Sequence, residues 1–132
     1  MNEDQTENEE NEEQEKPRDL KERLREYSLR IIRMYCSLPK TAVAQVLGRQ
    51  VLRSGTSPGA HHREAYRARS TAEFISKIEG GLQELDETAY WLELLVGSRT
   101  LLQEKMQCLL DETEELIAIF TASVKTAKQR KP

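Results

Sequence analysis

Apolar side chains recur along this chain at alternating intervals of three and four residues, the spacing that gathers one face of an α-helix. The first such segment carries Leu20, Leu24, Tyr27, Ile31, Tyr35 and Leu38. Asp19 stands in an N-cap position with Glu22 three residues later, and Ser37-Leu38-Pro39-Lys40 ends the segment, because proline disfavours helix at the residue before it. A second helix opens near Thr41, with Val43, Leu47, Val51 and Ser54 on one face. The third begins at a capping box, Ser70-x-x-Glu73, and continues through Ile75, Ile78, Leu82, Leu85, Ala89, Leu92 and Val96; Gly97 is placed to stop it. Thr100-x-x-Gln103 reads as another capping box, leading into Leu102, Met106, Leu109, Thr113, Leu116, Phe120 and Val124. Short joints between such heptad stripes make neighbouring helices antiparallel. The pattern therefore predicts an all-α fold, an up-down antiparallel four-helix bundle over residues 18–129. No β pattern of comparable length competes with it.

Two places break the rhythm. Gly80-Gly81 falls inside the third helix, where each glycine costs up to about 1 kcal/mol relative to alanine. The pair is tolerable if another backbone approaches closely there; a local kink is the alternative. Ser54-Gly55-Thr56-Ser57-Pro58-Gly59 has the composition of a loop, and a kinked helix continuing to about Arg67 competes with that reading. The last two helices also carry second apolar stripes, Phe74, Trp91 and Leu95 on one and Leu110, Ile117 and Val124 on the other. A monomeric bundle needs only about three apolar positions per heptad. The excess points to a homo-oligomer, with Phe74, Tyr90, Trp91 and Leu95 as interface candidates.

Charge divides the chain further. Residues 1–16 hold 8 of the 23 acids, 1 of the 20 bases and no apolar side chain after Met1. Such a segment buries too little surface to offset the entropy of ordering, so residues 1–17 are expected to form a disordered acidic tail. Residues 18–69 then carry twelve bases against four acids, and residues 73–115 three bases against eleven acids. Lys125, Lys128, Arg130 and Lys131 add a basic end. A body with one basic and one acidic half can attract a polyanion or pair head to tail with its own copies. No run approaches the roughly 18 apolar residues of a membrane span, and the acidic N-terminus does not resemble a secretion signal, so a cytoplasmic protein is expected. Cys36 and Cys108 fit no CxxC spacing and read as small buried or half-buried thiols.

Enzyme signatures are lacking. A di-iron bundle needs Glu-x-x-His pairs, yet His61 and His62 follow Pro58 and Gly59 at that spacing. There is no phosphate-cradling glycine loop with a lysine and no nucleophile elbow. A non-enzymatic protein with no cofactor and no metal is the expectation. What remains is His61-His62-Arg63-Glu64-Ala65-Tyr66-Arg67-Ala68-Arg69, with two imidazoles, three guanidiniums and an aromatic ring. Arginine grips phosphate bidentately, and Tyr66 could stack on an exposed base. The competing reading pairs Arg63 and Glu64 with neighbouring helices and leaves the histidines coating a surface.

The runs Leu38-Pro39-Lys40-Thr41, Gly48-Arg49-Gln50 and Leu52-Arg53-Ser54-Gly55-Thr56-Ser57 resemble the bacterial four-helix-bundle family named after proteins encoded within intervening sequences of 23S ribosomal RNA genes. So do Arg63-Glu64-Ala65, Ala68-Arg69-Ser70, Glu73-Phe74, Lys77, Asp86-Glu87-Thr88-x-Tyr90-Trp91-Leu92-Glu93-Leu94-Leu95 and Ile117-x-x-Phe120-x-x-Ser123-x-Lys125-Thr126-Ala127. The likeness covers roughly residues 18–129. It implies an up-down bundle, a ring-like homopentamer and a continuous kinked helix through Ser54–Arg67. The same family includes the accessory variability protein of diversity-generating retroelements, for which it implies basic surfaces that bind nucleic acid and a partner reverse transcriptase. The chain departs from the family at His61, where asparagine is common, at Pro58, which replaces an aliphatic residue, and in its acidic tail.

Two functions follow as expectations. One is a homo-oligomeric scaffold that binds RNA or DNA through Arg49, Arg53, His61, His62, Arg63, Arg67, Arg69, Lys125, Lys128, Arg130 and Lys131, as an accessory factor of a reverse transcriptase. The other is a protein–protein adaptor or structural oligomer whose charges serve only its own assembly.

Overall fold

The computed structural model describes residues 19–130; the acidic segment 1–17 and Lys131 lie outside them. Four helices and no strand are formed among the described residues: α1 Leu20–Cys36, α2 Ala42–Ala65, α3 Thr71–Gly97 and α4 Gln103–Gln129. Each joint has five residues, 37–41, 66–70 and 98–102, too few to do anything but reverse the chain. Sequential neighbours make the principal contacts, the largest between α2 and α3, and α1 touches α4 to close the bundle. Three starts use side-chain caps. Asp19 Oδ1 accepts from Lys21 N–H (3.1 Å), Thr41 Oγ1 from Ala44 N–H (3.2 Å) and Ser70 Oγ from Glu73 N–H (3.1 Å).

The core runs from Leu24, Tyr27 and Ile31 of α1 through Val51 of α2 and Ile78, Leu85, Leu92 and Leu95 of α3 to Met106, Leu109, Leu116 and Phe120 of α4. Its buried hydroxyls are paired. Tyr27 donates its phenol hydrogen to Thr113 Oγ1 (2.6 Å), which donates to the Leu109 carbonyl (2.8 Å). The Thr88 hydroxyl bridges Ser54 Oγ (2.8 Å) and the Glu84 carbonyl (2.7 Å). The α3 stripe is therefore Ile78-Gly81-Leu85-Thr88-Leu92-Leu95, one position off the apolar-only stripe; Ile75, Leu82, Ala89 and Val96 flank it half-buried. In α2 the same slip leaves Val43 exposed, because Ala44, Gly48 and Val51 take the inner face.

The stretch rich in serine, glycine and proline is one continuous helix, not a loop. Pro58 lies inside α2 and is buried. Its missing N–H removes the partner of the Ser54 carbonyl, an interruption that costs about 3 kcal/mol in a helix interior. Burial of Ser54, Gly55 and Pro58 offsets this. The Thr56 and Ser57 hydroxyls donate to the Leu52 and Arg53 carbonyls at 2.7 and 2.6 Å.

The α3–α4 joint also differs from expectation. Gly97 is the last helical residue, and the left-handed position falls on Arg99, with φ 62°. Thr100 N–H reaches back to the Leu95 carbonyl and Arg99 N–H to that of Val96, both at 3.0 Å, a Schellman closure. Because Thr100 is spent in this turn, its hydroxyl paired with Ser98, it does not cap α4; Leu102 takes the N-cap place without a side-chain bond. Cys36 and Cys108 are exposed rather than half-buried, since both sit on outward positions beside inward Met34 and Leu109. No helix among the described residues is long and apolar enough to cross a membrane.

A non-glycine residue in the left-handed region costs about 1 kcal/mol. Arg99→Gly is therefore expected to stabilise the fold by up to about 1 kcal/mol, read as a raised urea midpoint at unchanged m-value. An unchanged or lowered midpoint would count against the turn assigned here.

Candidate nucleic-acid interface

The up-down course brings four helix ends to one pole: the starts of α1 and α3 and the finishes of α2 and α4. The cations separated in sequence as Lys21, Arg25, Arg63, Arg67, Arg69, Lys125, Lys128 and Arg130 belong to these four ends and their joints. Most of the acids of residues 79–115 belong to the other two-thirds of α3 and α4. Arg30, Arg33, Lys40 and Arg49 lie toward the opposite pole, so the charge division of the sequence runs mainly between the α1–α2 and α3–α4 sides, and the cations named above add an excess at one pole.

At the basic pole, where α1 begins beside the last turns of α2, a cleft of about 390 Å³ is lined by Asp19, Leu20, Lys21, His62, Arg63, Tyr66 and Arg67. A second recess of about 240 Å³ continues from it between the two helices, lined by Lys21, Arg25, Ser28, Thr56, Gly59, Ala60 and Arg63. Lys21 and Arg63 wall both. Lys21, Arg63 and Arg67 have no ion-pair partner among the described residues, and Arg25 has only Glu26 beside it at 3.6 Å. Other cations of this pole are neutralised: Arg23 by Glu112 and Glu115, Lys77 by Glu64 (3.1 Å) and Lys128 by Glu79 (3.1 Å). The hydrogen bonds that Arg23 donates to Glu112 outweigh partial burial and hold its guanidinium firmly protonated.

Tyr66 is 69 % exposed at the end of α2. Its ring centroid lies 4.7 Å from that of His62, tilted by 51°, and 5.7 Å from that of Phe74, edge-on at 84°. His62 itself is only 5 % exposed, and neither ring nitrogen has a hydrogen-bond partner among the described residues. Burial pushes its pKa below the usual 6.5, and Arg63 and Lys21 add to this against the opposing pull of Asp19. It is neutral at pH 7.

These positions correct several sequence expectations. His62 is a core residue of this pole, facing Tyr66 and Phe120, and offers the cleft only a small part of its ring. His61 is half-buried with Nδ1 enclosed, its ring lying over Gly80, where an added Cβ would come within 2.9 Å of Cε1. The glycine pair therefore makes room for side chains, not for backbone: a Cβ at Gly81 would meet Phe120 Cε2 at 2.6 Å. Arg53 is engaged by Glu87 (2.8 Å) and Glu84 (3.2 Å), which raise its pKa, and so is Lys128 by Glu79. Arg49 is exposed but sits fourteen residues before Arg63, about 21 Å along α2 at 1.5 Å per residue. It does not join the cluster. Arg63, Arg67, Arg69, Lys125 and Arg130 share the pole; Lys131 is outside the described residues.

Among the interface candidates, Leu95 is 0 % exposed and belongs to the core of the single chain, at a position of the α3 inner stripe. Phe74 is half-buried beneath Tyr66, Tyr90 is exposed, and Trp91 is half-buried with an unpartnered indole N–H. Lys21 and Arg25 were not singled out from sequence, because on α1 they alternate with Glu22 and Glu26. Their signal is topological: antiparallel pairing sets the first turns of α1 against the last turns of α2, so an i, i+4 pair of cations faces Arg63.

Lowered folded-state basicity of His62 gives a sign to acid sensitivity. The unfolded chain takes up this proton near pH 6.5 and the folded chain only at lower pH, so stability is fully present above about 6.5 and falls as pH drops below it. Each unit of depression corresponds to about 1.4 kcal/mol. Urea unfolding at pH 7.5 and 5.5 is expected to show a smaller acid loss in His62→Leu than in the parent; equal losses would place the titration elsewhere.

The family profile described as 23S rRNA-intervening sequence protein matches residues 18–122. A crystal structure of a protein of unknown function from the S23 ribosomal protein family of Bacteroides thetaiotaomicron is similar at 36 % sequence identity, covering 81 % of this chain and 99 % of that one, with a TM-score of 0.76. No curated protein matches the chain.

Proposed function

The chain belongs to the 23S rRNA-intervening sequence protein family, and from that premise we propose that it is a non-enzymatic, self-associating scaffold that binds nucleic acid at its basic pole. The observation that carries this reading is the set of cations without described ion-pair partners, Lys21, Arg63 and Arg67, gathered around one cleft and one exposed tyrosine. Cations left unneutralised at one pole, while Arg23, Arg53, Lys77 and Lys128 are paired, favour a polyanion over a role in stabilising the fold. Arg69, Lys125 and Arg130 extend the same pole toward a longer strand.

Self-association is supported from the opposite direction. Val43, Val46, Tyr90 and Leu102 are exposed apolar or aromatic side chains toward the other pole, beside the half-buried Trp91. The family resemblance favours five copies in a ring. A ring repeats the basic pole once per subunit, so weak phosphate contacts add by avidity. A reverse transcriptase is the protein partner this reading favours, by likeness to the retroelement members. The adaptor reading keeps one supporting observation, the long acidic surface of α3 and α4, which suits a basic neighbour.

The affinity for a short RNA is expected to fall steeply with salt, and the Arg63→Glu/Arg67→Glu double variant is expected to weaken it at least tenfold while flattening the salt slope by about one per lost phosphate contact. Fluorescence anisotropy at several ionic strengths measures both; salt-independent binding would refute the phosphate contacts. Removing residues 1–16, with eight carboxylates and one lysine, is expected to tighten binding by relieving repulsion of the strand. Light scattering of the purified chain should give five times the 15.2 kDa chain mass. A monomer would overturn the ring.

A further inference from the structure

We infer that the cleft at the basic pole seats one unpaired nucleotide of a single strand, its base laid against Tyr66 and its phosphates held by Lys21, Arg63 and Arg67. The inference rests on the nucleic-acid reading above and deepens it by choosing between a duplex and a splayed single strand.

Shape is the first reason. A volume of about 390 Å³ lies within the roughly 300–1,000 Å³ of small-ligand clefts. A duplex presents a convex phosphate surface to a protein and keeps its bases stacked inside, so it would lie across this recess and leave it unfilled. A single strand can turn one base into it.

The lining gives the second reason. Tyr66, the most exposed aromatic at this pole, is steadied by His62 at 4.7 Å and by the edge of Phe74 at 5.7 Å. A ring that keeps an open face while its neighbours fix its tilt is a stacking platform whose ordering cost has already been met in the fold. Leu20 supplies an apolar wall beside it. His62, buried and neutral, supports the tyrosine without adding a charge that a base would have to face.

Charge gives the third. Three cations and one carboxylate, Asp19, line the cleft, and Arg25 continues the cationic wall into the adjoining recess. Asp19 Oδ1 is taken by the N-terminal cap of α1. The remaining positive excess suits the one or two phosphates that flank a single nucleotide. Guanidiniums at Arg63, in the last turn of α2, and Arg67, in the turn that follows it, can grip them bidentately.

Fluorescence anisotropy with the full chain tests this, using a labelled ten-nucleotide single strand, as RNA and as DNA, and the corresponding duplexes. The expected result is a preference of about tenfold or more for a single strand over its duplex. Tyr66→Leu should weaken single-strand binding about tenfold and leave duplex binding unchanged, whereas Tyr66→Phe should bind like the parent because it keeps the stacking face. Tyr66 is largely solvent-exposed, so both variants are expected to keep the helical circular dichroism of the parent. Equal binding of strand and duplex, indifferent to Tyr66→Leu, overturns the single-nucleotide cleft while the nucleic-acid reading stands. No binding of any of the four probes by the parent overturns both, as does binding only of an acidic peptide used as a control.

Discussion

Helix α2 can lie close against both α1 and α3 because side chains are missing where they would collide. A Cβ at Gly48 would come within 2.6 Å of Leu38 Cδ1, and one at Gly55 within 2.8 Å of Ile31 Cγ1. On the α3 side, Gly80 and Gly81 receive the His61 ring and the Phe120 ring. Glycine in a helix interior sacrifices up to about 1 kcal/mol each in propensity. The dispersion and burial gained from close approach along the whole helix outweigh that cost. With α2 held this tightly, its serine-, threonine- and proline-containing middle stays helical, and its last turns are fixed beside the first turns of α1.

That placement determines the electrostatics of the molecule. The five-residue joints leave no freedom to distribute helix ends differently, so cations from three distant parts of the sequence meet at one pole. Carboxylates of α2, α3 and α4 reach some of them, at Lys77, Lys128 and Arg23, and leave those around the α1–α2 cleft without described partners. Tyr66 projects among the latter because the chain must leave the core at the end of α2. The same rigid packing that forms the core thus supplies a preorganised surface.

Much of the fold was legible in the sequence because helical periodicity and short joints are strong local signals. Ser70 and Asp19 cap as expected, and four stripes give four helices. The misread details have specific causes. Counting only apolar residues shifted the α3 stripe, since Gly81 and Thr88 hold core positions, one by lacking a side chain and one by satisfying its hydroxyl internally. Gly97 was assigned the turn that Arg99 makes, because composition favours glycine and geometry here did not use it. Leu95 was placed on an outer face for the same reason that the stripe slipped.

The candidate site was less legible. Arg63, Arg67 and Tyr66 stood out as a local cluster, but Lys21 and Arg25 join it only through the antiparallel contact of α1 with α2. His61 and His62 looked like surface groups because they are polar and adjacent to arginines. Adjacent helical residues point about 100° apart, and the continuous α2 turns His62 inward and lays His61 across Gly80. Once the stretch around Pro58 is helical, both placements follow; read as a loop, neither could be found.

Hydrogen exchange of the full chain, with and without a short single-stranded RNA, tests most directly whether the basic pole is the working surface. Slowed exchange confined to the first turns of α1, the last turns of α2 and the joint at residues 66–70 is the predicted result, with residues 84–115 unchanged. Protection centred on the acidic stretch of α3 and α4, or no change anywhere on the bundle, would contradict it.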